Sequence, residues 1–355
     1  MTRSKTLWLS LFALLAIAAC SNGDEISFFS LGTDVSITIY GVGGDTAQAV
    51  DTLLPSRYER LGRDWYPWAD GELAAVNSGI AEGKSNIELS PSLARIVDRA
   101  RDIEVLSHGR FNAGIGRLTE LWELHDLPET LERPPSRDEI RRAKRGASLI
   151  SVDLDGSNLV RANRNTMIDL GGIAKGAIIR DTFGLLEEQG VSDAIVNIGG
   201  DLGVMGKREA RIGIQSPHDA DVIAGLNIVG GEAVMTSGSY ERYVEIDDQR
   251  YPHVIDPRTG HPVQHTVSVT VIDKDAMLAD ASATALMVAG VDEFEQTVRG
   301  LGLTYALLIG ASGELCLTQA MAERLDWLAD EGREHIAAVA EGSASSACFS
   351  GRNGG

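Results

Sequence analysis

The sequence is poor in cysteine, with only three such residues in a chain of 355. Cys316 and Cys348 could form one disulfide in an oxidising compartment, but one pair is not a disulfide framework. No two cysteines have the CxxC spacing that is typical of thiol-redox and zinc sites. The cysteine content therefore excludes a disulfide-rich scaffold and argues against thiol-redox and zinc chemistry.

Positive charge is also scarce. Lys and Arg number 32 against 51 Asp and Glu, which gives a formal charge of −19 at pH 7. A surface of this sign repels the phosphate backbone, so we expect no nucleic-acid partner. A small anionic ligand is compatible with this charge, because a metal ion or a helix N-terminus can reverse the potential locally.

The sequence has no apolar run long enough to span a bilayer. Residues 7–19 are mostly apolar and follow Arg3 and Lys5, which is typical of a signal peptide. Residues 17–20, Ile-Ala-Ala-Cys, resemble the bacterial lipobox. We therefore predict a signal peptide at 1–19, a lipidated Cys20 with a tether at 20–27, and anchoring to an inner or outer bacterial membrane, facing the periplasm. An ordinary signal peptide with a chance cysteine is the alternative.

Several catalytic signatures are absent. There is no GxxxxGKS/T, HExxH or GxSxG motif, and no GxGxxG follows a predicted strand. These absences argue against P-loop, zincin, α/β-hydrolase and Rossmann mechanisms. With 43% hydrophobic residues and 10 prolines against 39 glycines, the composition is that of a globular protein.

The hydrophobic pattern predicts an α+β fold with mostly antiparallel strands, because strands and helices mix without regular βαβ alternation. Helices are predicted from the N-caps Ser90 and Asp275, the second ending at Gly290, and also over residues 173–188. Strands are predicted near residues 35–40, 166–169, 194–198, 267–271 and 304–309, the last being the final strand.

Two segments are expected to lie outside the core. Residues 125–147 are polar and carry three prolines, so we interpret them as a surface insertion with one short helix. Residues 331–355 are predicted to hold the end of a helix and then a disordered tail, because the sequence from about residue 342 is rich in Ser and Gly.

Residues 169–176, DLGGIAKG, place Asp169 before a two-glycine turn and Lys175 in the first turn of a helix. Such a turn can bring backbone N–H groups and carbonyls close to a phosphate or a metal ion. A tight turn into the helix with a solvated lysine explains the pattern equally well.

Asp280 and Thr284 are four residues apart on the predicted helix 276–289, so their side chains share one face. Carboxylate and hydroxyl oxygens suit Mg²⁺ better than zinc. The surrounding residues are almost all apolar or small, and an aspartate buried among them without a partner would be costly. The pattern favours a functional role over a solvated face.

Residues 251–260, YPHVIDPRTG, place His253 three residues before Asp256 at a predicted turn. An ordinary β-turn capped by Asp256 accounts for the turn residues. An imidazole beside a carboxylate is also a candidate base at neutral pH.

Five motifs lie in a characteristic order: DLGGIAKG at 169–176, VNIGGD at 196–201, TSGSYERY at 236–243, HVIDPRTGHPV at 253–263 and ADASATALMVAG at 279–290. In order and spacing they resemble the ApbE family of FAD:protein FMN transferases, and LGT at 31–33 resembles its first motif. The resemblance covers about residues 28–320. It implies an ApbE-like, T-fold-like domain at 28–330, with mixed, mostly antiparallel sheets packed with helices and FAD in a cleft between two subdomains.

The resemblance also implies a reaction: FMN moves from FAD through a phosphoester bond to a Thr or Ser hydroxyl of an acceptor redox protein, and AMP is released. Mg²⁺, or Mn²⁺, would be held by Asp280, Thr284 and the carbonyl of Ala174. His253 and Asp280 would be the catalytic residues. The residues implied to bind FAD are Leu31, Thr33, Glu72, Asp169, Lys175, Ile214 and Gly238.

The sequence departs from the family pattern in places. Leu31 stands where Met is usual, Ser239 replaces an Asp, and residues 111–118 are a weak version of Asp-x-x-x-Gly-Pro-Leu. Two alternatives stay open: an FAD pyrophosphatase that uses water as the acceptor, and a non-catalytic flavin-binding lipoprotein.

Overall fold

The computed structural model describes residues 23–125, 133–216, 221–240, 242–247, 249–328 and 346–349. The strands are β1 (Gly23–Ser30), β2 (Thr33–Tyr40), β3 (Ile87–Glu88), β4 (Asp153–Asp155), β5 (Asn158–Arg161), β6 (Asp193–Ile198), β7 (Asp201–Met205), β8 (Glu209–Gln215), β9 (Val222–Val229), β10 (Ala233–Gly238), β11 (Tyr243–Ile246), β12 (Gln249–Pro252), β13 (Ile255–Asp256), β14 (His261–Pro262), β15 (Thr266–Asp273), β16 (Tyr305–Gly310), β17 (Leu315–Thr318), β18 (Asp326–Trp327) and β19 (Ser346–Phe349). The helices are α1 (Gly44–Asp64), α2 (Glu72–Glu82), α3 (Pro91–Leu106), α4 (Gly116–Leu121), α5 (Arg137–Ala143), α6 (Ala174–Glu188), α7 (Ala276–Leu301) and α8 (Gln319–Arg324).

A nine-stranded sheet organises these elements, in the order β1-β2-β6-β7-β10-β15-β16-β17-β19. Every neighbouring pair in it is antiparallel. The predicted α+β fold with mostly antiparallel pairing is confirmed.

The two faces of the large sheet are covered differently. On one face Ile37 and Val269 pack with residues of α1, α3, α6 and α7 such as Leu286. On the other face Val204 packs with residues of the small sheet β18-β9-β8, such as Leu226, and with α8. Alternating side chains of each strand point to opposite faces, which is why one sheet can support two separate cores.

Two predicted helix starts are confirmed. The Ser90 side chain accepts a hydrogen bond from the Leu93 N–H at the start of α3, and the Asp275 side chain accepts from two backbone N–H groups at the start of α7. The predicted stop at Gly290 is a kink with φ +62°, after which helical structure continues to Leu301. A positive φ is tolerated there because glycine has no Cβ.

The predicted strand at residues 166–169 does not form. Met167 makes only an isolated bridge with Ile115, while the Asn77 side chain bonds both the N–H and the carbonyl of Ile168, at 2.8 and 2.9 Å. An amide side chain can thus replace a neighbouring strand for a short buried segment.

The predicted surface insertion also contributes to the core. Ile140 on α5 is 4% exposed and packs in a third cluster with Leu118 and Trp122. The Trp122 indole donates to the Gly260 carbonyl at 2.9 Å, so this region supports the turn that follows His253. Residues 126–132 of the insertion lie outside the described residues.

Both ends of the chain differ from expectation. β1 begins at Gly23, inside the predicted tether, and the strands β17 to β19 follow the strand that was expected to be the last. β19 lies within the predicted tail and pairs with β17, where Cys348 forms a disulfide with Cys316. The predicted signal peptide, Cys20 and most of the tail lie outside the described residues. Among the described residues, no helix combines the length and apolar character needed to cross a bilayer.

Candidate active site

The N-terminal end of α6 packs directly on α7. A Cβ on Gly176 would lie 2.2 Å from the Ala276 carbonyl oxygen, so the close contact between these helices requires glycine at this position. The contact lets the Gly176 N–H donate to the Asp280 carboxylate at 2.9 Å. Unpaired N–H groups and the helix dipole both favour an anion at a helix N-terminus, and here a side chain of α7 supplies it.

Thr284 lies one turn further along α7 and faces the same loop. Its Oγ1 would be 3.0 Å from a Cβ placed on Gly172, so the two-glycine turn runs against this hydroxyl. The shared face predicted for Asp280 and Thr284 is therefore turned toward the start of α6, where Ala174 is the first helical residue.

A second buried carboxylate, Asp201, completes this group. It begins β7, is 2% exposed and forms an ion pair with Lys175. Its Oδ1 accepts from the Thr236 N–H at 2.8 Å, which fixes its position. Asp201 ends the motif VNIGGD, and no role was predicted for it from the sequence. A carboxylate directly after a strand and two glycines was the available signal.

The group formed by Asp280, Asp201 and Lys175 has a shifted pKa at one of its carboxyls. Burial raises the pKa of the Asp280 carboxyl to about 7, and the negative charge of Asp201 acts in the same direction, against the ammonium of Lys175. Two buried carboxylates thus share one lysine, so a divalent cation would relieve the excess negative charge. Among the described residues no three His, Cys, Asp or Glu side chains cluster as a metal site. A cation here would need the hydroxyl and carbonyl oxygens as well, and this all-oxygen set suits Mg²⁺.

His253 follows β12 and bonds twice to one carbonyl. Its backbone N–H donates to the Arg242 carbonyl at 3.0 Å, and its Nδ1 lies 3.2 Å from the same oxygen. Because a carbonyl only accepts, we assign the ring proton to Nδ1, which leaves the Nε2 lone pair available. Burial, with the charges of Arg242 and Lys175 acting in the same direction, lowers the pKa of His253 to about 4, so the imidazole is neutral at pH 7.

Asp256 is not the partner of His253. Its carboxylate accepts from the Arg258 backbone N–H at 2.8 Å and from the Arg258 guanidinium. The simpler interpretation is therefore the correct one for Asp256, which orders the turn.

Asp169 lies before the two-glycine turn and is fully engaged. It accepts from the Thr119 hydroxyl and the Gly171 N–H, both at 2.9 Å. Burial raises the pKa of its carboxyl, while the charges of Arg242 and His125 act against this effect. These influences place Asp169 and His125 in one neighbourhood.

An aromatic cluster that sequence analysis missed adjoins Asp169. The His125 ring stacks on Trp68 with centroids 4.7 Å apart, and the Tyr66 hydroxyl donates to the His125 carbonyl at 2.8 Å. Trp68 Nε1 and His125 Nδ1 are buried and have no hydrogen-bond partner in the described part of the chain. The concentration of aromatic residues at 65–68, in a chain with only 5% of them, was the signal.

Three of the residues implied to bind FAD lie at the ends of strands of the large sheet. Thr33 lies against the turn between β6 and β7, because a Cβ on Gly199 would lie 2.4 Å from its Oγ1. Leu31, with φ +56°, and Gly32, with φ +75°, form the tight turn between β1 and β2. Gly238 ends β10, where its missing Cβ makes room for the Tyr240 ring.

Glu72 and Ile214 do not join the group around Asp280. The Glu72 carboxylate accepts from the Ser90 N–H at 2.5 Å and the Ser90 hydroxyl at 2.8 Å, so it ties the start of α2 to that of α3. Ile214 on β8 is buried in the core on the opposite face of the sheet. These contacts give both residues structural roles, and their binding of FAD stays a prediction.

The chain is similar to known proteins of one family. A model of the ApbE family matches residues 31–307. The chain is 33% identical over 305 residues to the FAD:protein FMN transferase of Rhodobacter capsulatus, covering 84% of this chain and 58% of that protein. The chain thus spans little more than half the length of this relative. It belongs to the ApbE family, and the resemblance seen in its motifs is confirmed.

Solved structures of the family have the same fold. The ApbE protein of Thermotoga maritima superposes with a TM-score of 0.75 at 28% identity, over 83% of this chain and 96% of that chain. The flavin transferase ApbE of Vibrio cholerae gives 0.73 at 25% identity, over 85% and 99%. The ApbE-like architecture expected from the sequence is confirmed.

Proposed function

We propose that this chain transfers FMN from FAD to a Thr or Ser hydroxyl of an acceptor redox protein, through a phosphoester bond, with release of AMP. The observation that carries the proposal is the group at the start of α6, where two buried carboxylates lie beside Lys175, whose charge also acts on a neutral His253. Phosphoryl transfer depends on such positioning and charge stabilisation. Relatives named FAD:protein FMN transferase support the same substrate.

Mg²⁺, with Mn²⁺ as a substitute, would be held by the Asp280 carboxylate, the Thr284 hydroxyl and the Ala174 carbonyl. When bound, it would neutralise charge on the pyrophosphate and on the departing AMP. The excess of buried negative charge around Asp280 supports this assignment.

His253 would act at Nε2, where no proton is held. As the acceptor oxygen bonds to the FMN phosphorus, the bond from that phosphorus to the AMP oxygen breaks, and AMP leaves with the electron pair. The hydroxyl proton moves to Nε2, while Nδ1 keeps its proton on the Arg242 carbonyl. Negative charge gathering on the phosphates would favour the imidazolium that forms.

The flavin would lie along the residues around Asp169. Trp68 and His125 offer a stacked aromatic surface and two buried ring nitrogens that need partners. Leu31, Thr33 and Gly238 would line the same cleft between two parts of the domain.

The test uses the full chain in detergent with FAD, Mg²⁺ and a threonine-bearing acceptor peptide. We expect the peptide to gain the mass of an FMN phosphoester while AMP is released in equal amount, and EDTA to stop both. AMP and free FMN without labelled peptide would identify a pyrophosphatase instead. Flavin binding with neither product would identify a binding protein.

We also propose that Cys20 is lipidated and anchors the chain to a bacterial membrane, facing the periplasm. The support is the sequence Ile-Ala-Ala-Cys after an apolar segment. Cys20→Ala should move the protein from the detergent-rich to the aqueous phase and leave the flavin chemistry of the purified chain intact. Identical partitioning of the two proteins would contradict the anchor.

A further inference from the structure

A groove of about 540 Å³ lies between α1, α3 and α6, and neither Asp280 nor His253 lines it. Its charged lining residues are Arg57, Arg60, Arg95, Arg180, Asp181 and Glu188. Positive charge therefore exceeds negative charge in this groove, although the chain as a whole carries −19. Such a local reversal attracts anions that the rest of the surface repels.

Most of this positive charge has no partner among the residues that the structure describes. Arg57 Nε donates to the Asp181 carboxylate at 2.7 Å, which holds one wall of the groove in place. Within the described ranges, the side chains of Arg60, Arg95 and Arg180 form no ion pair or hydrogen bond. Their guanidinium groups come from three different helices and keep their N–H donors available.

The floor of the groove is apolar. Trp65, Ile96 and Met277 line it and are each at most 5% exposed, with Leu53 and Leu185 beside them. A ligand that fits both surfaces needs an anionic group for the arginines and an apolar part for the floor.

Gly184 keeps the groove open. It lies inside α6, where glycine lowers helix stability relative to alanine. No neighbouring atom requires its small size, because a Cβ there would meet nothing within 4 Å. The space beside Gly184 is therefore open, and a large side chain at this position would extend into the groove.

We propose that this groove binds an anion in which a phosphate group is attached to an apolar body. A guanidinium group can donate two parallel hydrogen bonds to phosphate oxygens. Because the unpaired arginines surround an apolar floor, a ligand with a phosphate group and an apolar body would contact both surfaces. A phospholipid and a soluble phosphate ester share this chemistry. The proposal is independent of the flavin reaction, because it uses none of the residues assigned to it.

The experiment titrates the full chain in detergent with phenyl phosphate and with inorganic phosphate, at constant ionic strength, by calorimetry. Phenyl phosphate should bind more tightly than inorganic phosphate. Arg60→Gln and Arg180→Gln should each weaken its binding about tenfold or more, since a charge-assisted pair is lost. Gly184→Leu keeps every charge but fills the groove, and should weaken binding as strongly. Arg137→Gln, an exposed arginine on α5, is the charge-matched control and should bind like the unaltered chain.

Vesicles of phosphatidylcholine with or without phosphatidylglycerol distinguish the two sources when every chain tested also carries Cys20→Ala, so that the proposed lipid anchor does not itself bind the vesicles. Binding that needs phosphatidylglycerol and is lost in the three groove variants supports a lipid ligand. Binding of phenyl phosphate alone, with the same losses, supports a soluble ester. The proposal is overturned if the unaltered chain binds neither probe, or if the groove variants bind as well as Arg137→Gln while their melting temperatures are unchanged.

Discussion

Two regions at the large sheet have opposite effects on the stability of the fold. At the start of α6, the charged site formed by Asp280, Asp201 and Lys175 places ionised groups in a buried environment, which destabilises the fold unless a ligand compensates. At the far edge, β19 pairs with β17, and the Cys316–Cys348 disulfide crosslinks them. The charged site lowers the free energy of unfolding and holds groups that could take part in a reaction. The crosslinked edge raises the free energy of unfolding and holds no such groups among those assigned here.

This contrast means that activity and stability should respond separately to substitution. Changes in the charged site should alter the reaction with little loss of folding free energy, because sites built for function are seldom optimal for stability. Changes at the crosslinked edge should do the reverse.

The largest effect is expected for Asp280→Asn. The amide keeps the size of the carboxylate but loses the charge that would hold the metal, whose contribution of several kcal/mol corresponds to about 10³–10⁴-fold in rate. FMN transfer to the acceptor peptide should fall by that factor, while the melting temperature without metal stays level or rises. Asp292→Asn, at an exposed position of the same helix, is the control. Undiminished transfer by Asp280→Asn would remove this residue from the site.

The second prediction concerns the crosslinked edge. Cys316 and Cys348 are 32 residues apart, and removing a crosslink over such a loop lowers the free energy of unfolding by about 3–4 kcal/mol. The double variant Cys316→Ser, Cys348→Ser should therefore unfold at lower urea concentration, as should the oxidised protein after reduction. Its transfer rate below the unfolding transition should match that of the unaltered chain. A large loss of transfer in the folded variant would show that the two regions are coupled.

The third prediction concerns His253 and pH. His253→Gln should slow single-turnover transfer about 10²-fold with little change in FAD affinity, since it removes only the proton acceptor. Because the pKa of His253 is lowered to about 4, the rate at saturating Mg²⁺, which keeps Asp280 ionised, should stay level from about pH 8 to about pH 5 and fall only near pH 4. An ordinary histidine would already lose activity near 6.5.

The lowered pKa of His253 also makes the free energy of unfolding depend on pH. The unfolded chain takes up the histidine proton near pH 6.5, before the folded chain does, so this contribution to stability is lost as the pH falls from 6.5 to about 4. His253→Gln should weaken that part of the pH dependence. His261→Gln, an exposed histidine on β14, should leave both the rate and the stability profile unchanged.

The features predicted correctly from the sequence are those that depend on residues close together in the chain. Ser90 and Asp275 mark helix starts through side-chain caps, and Asp280 and Thr284 share a face through helical spacing alone. The missed features depend on contacts distant in sequence: Asn77 replaces a strand partner for residue 168, and β19 pairs across the sheet. Periodicity reports which residues are buried but not against which element, so the opposite-face location of Ile214 could not be predicted from its pattern.

Asp201, like Asn77, contacts residues that are distant in sequence. Its substitution is expected to have the smallest effect on the transfer rate. Asp201→Asn can still accept from the Thr236 N–H but no longer pairs with Lys175, and a hydrogen bond to a charged group is worth about 1.5 kcal/mol or more, so transfer should fall about tenfold. Lys175→Met should cause a loss of similar size. If the pair acts as one unit, the double variant should lose no more than either single variant, because the second substitution removes a group that has already lost its partner. Losses that simply add would show that Lys175 and Asp201 act independently, and the charged site would then be two separate features that happen to lie together.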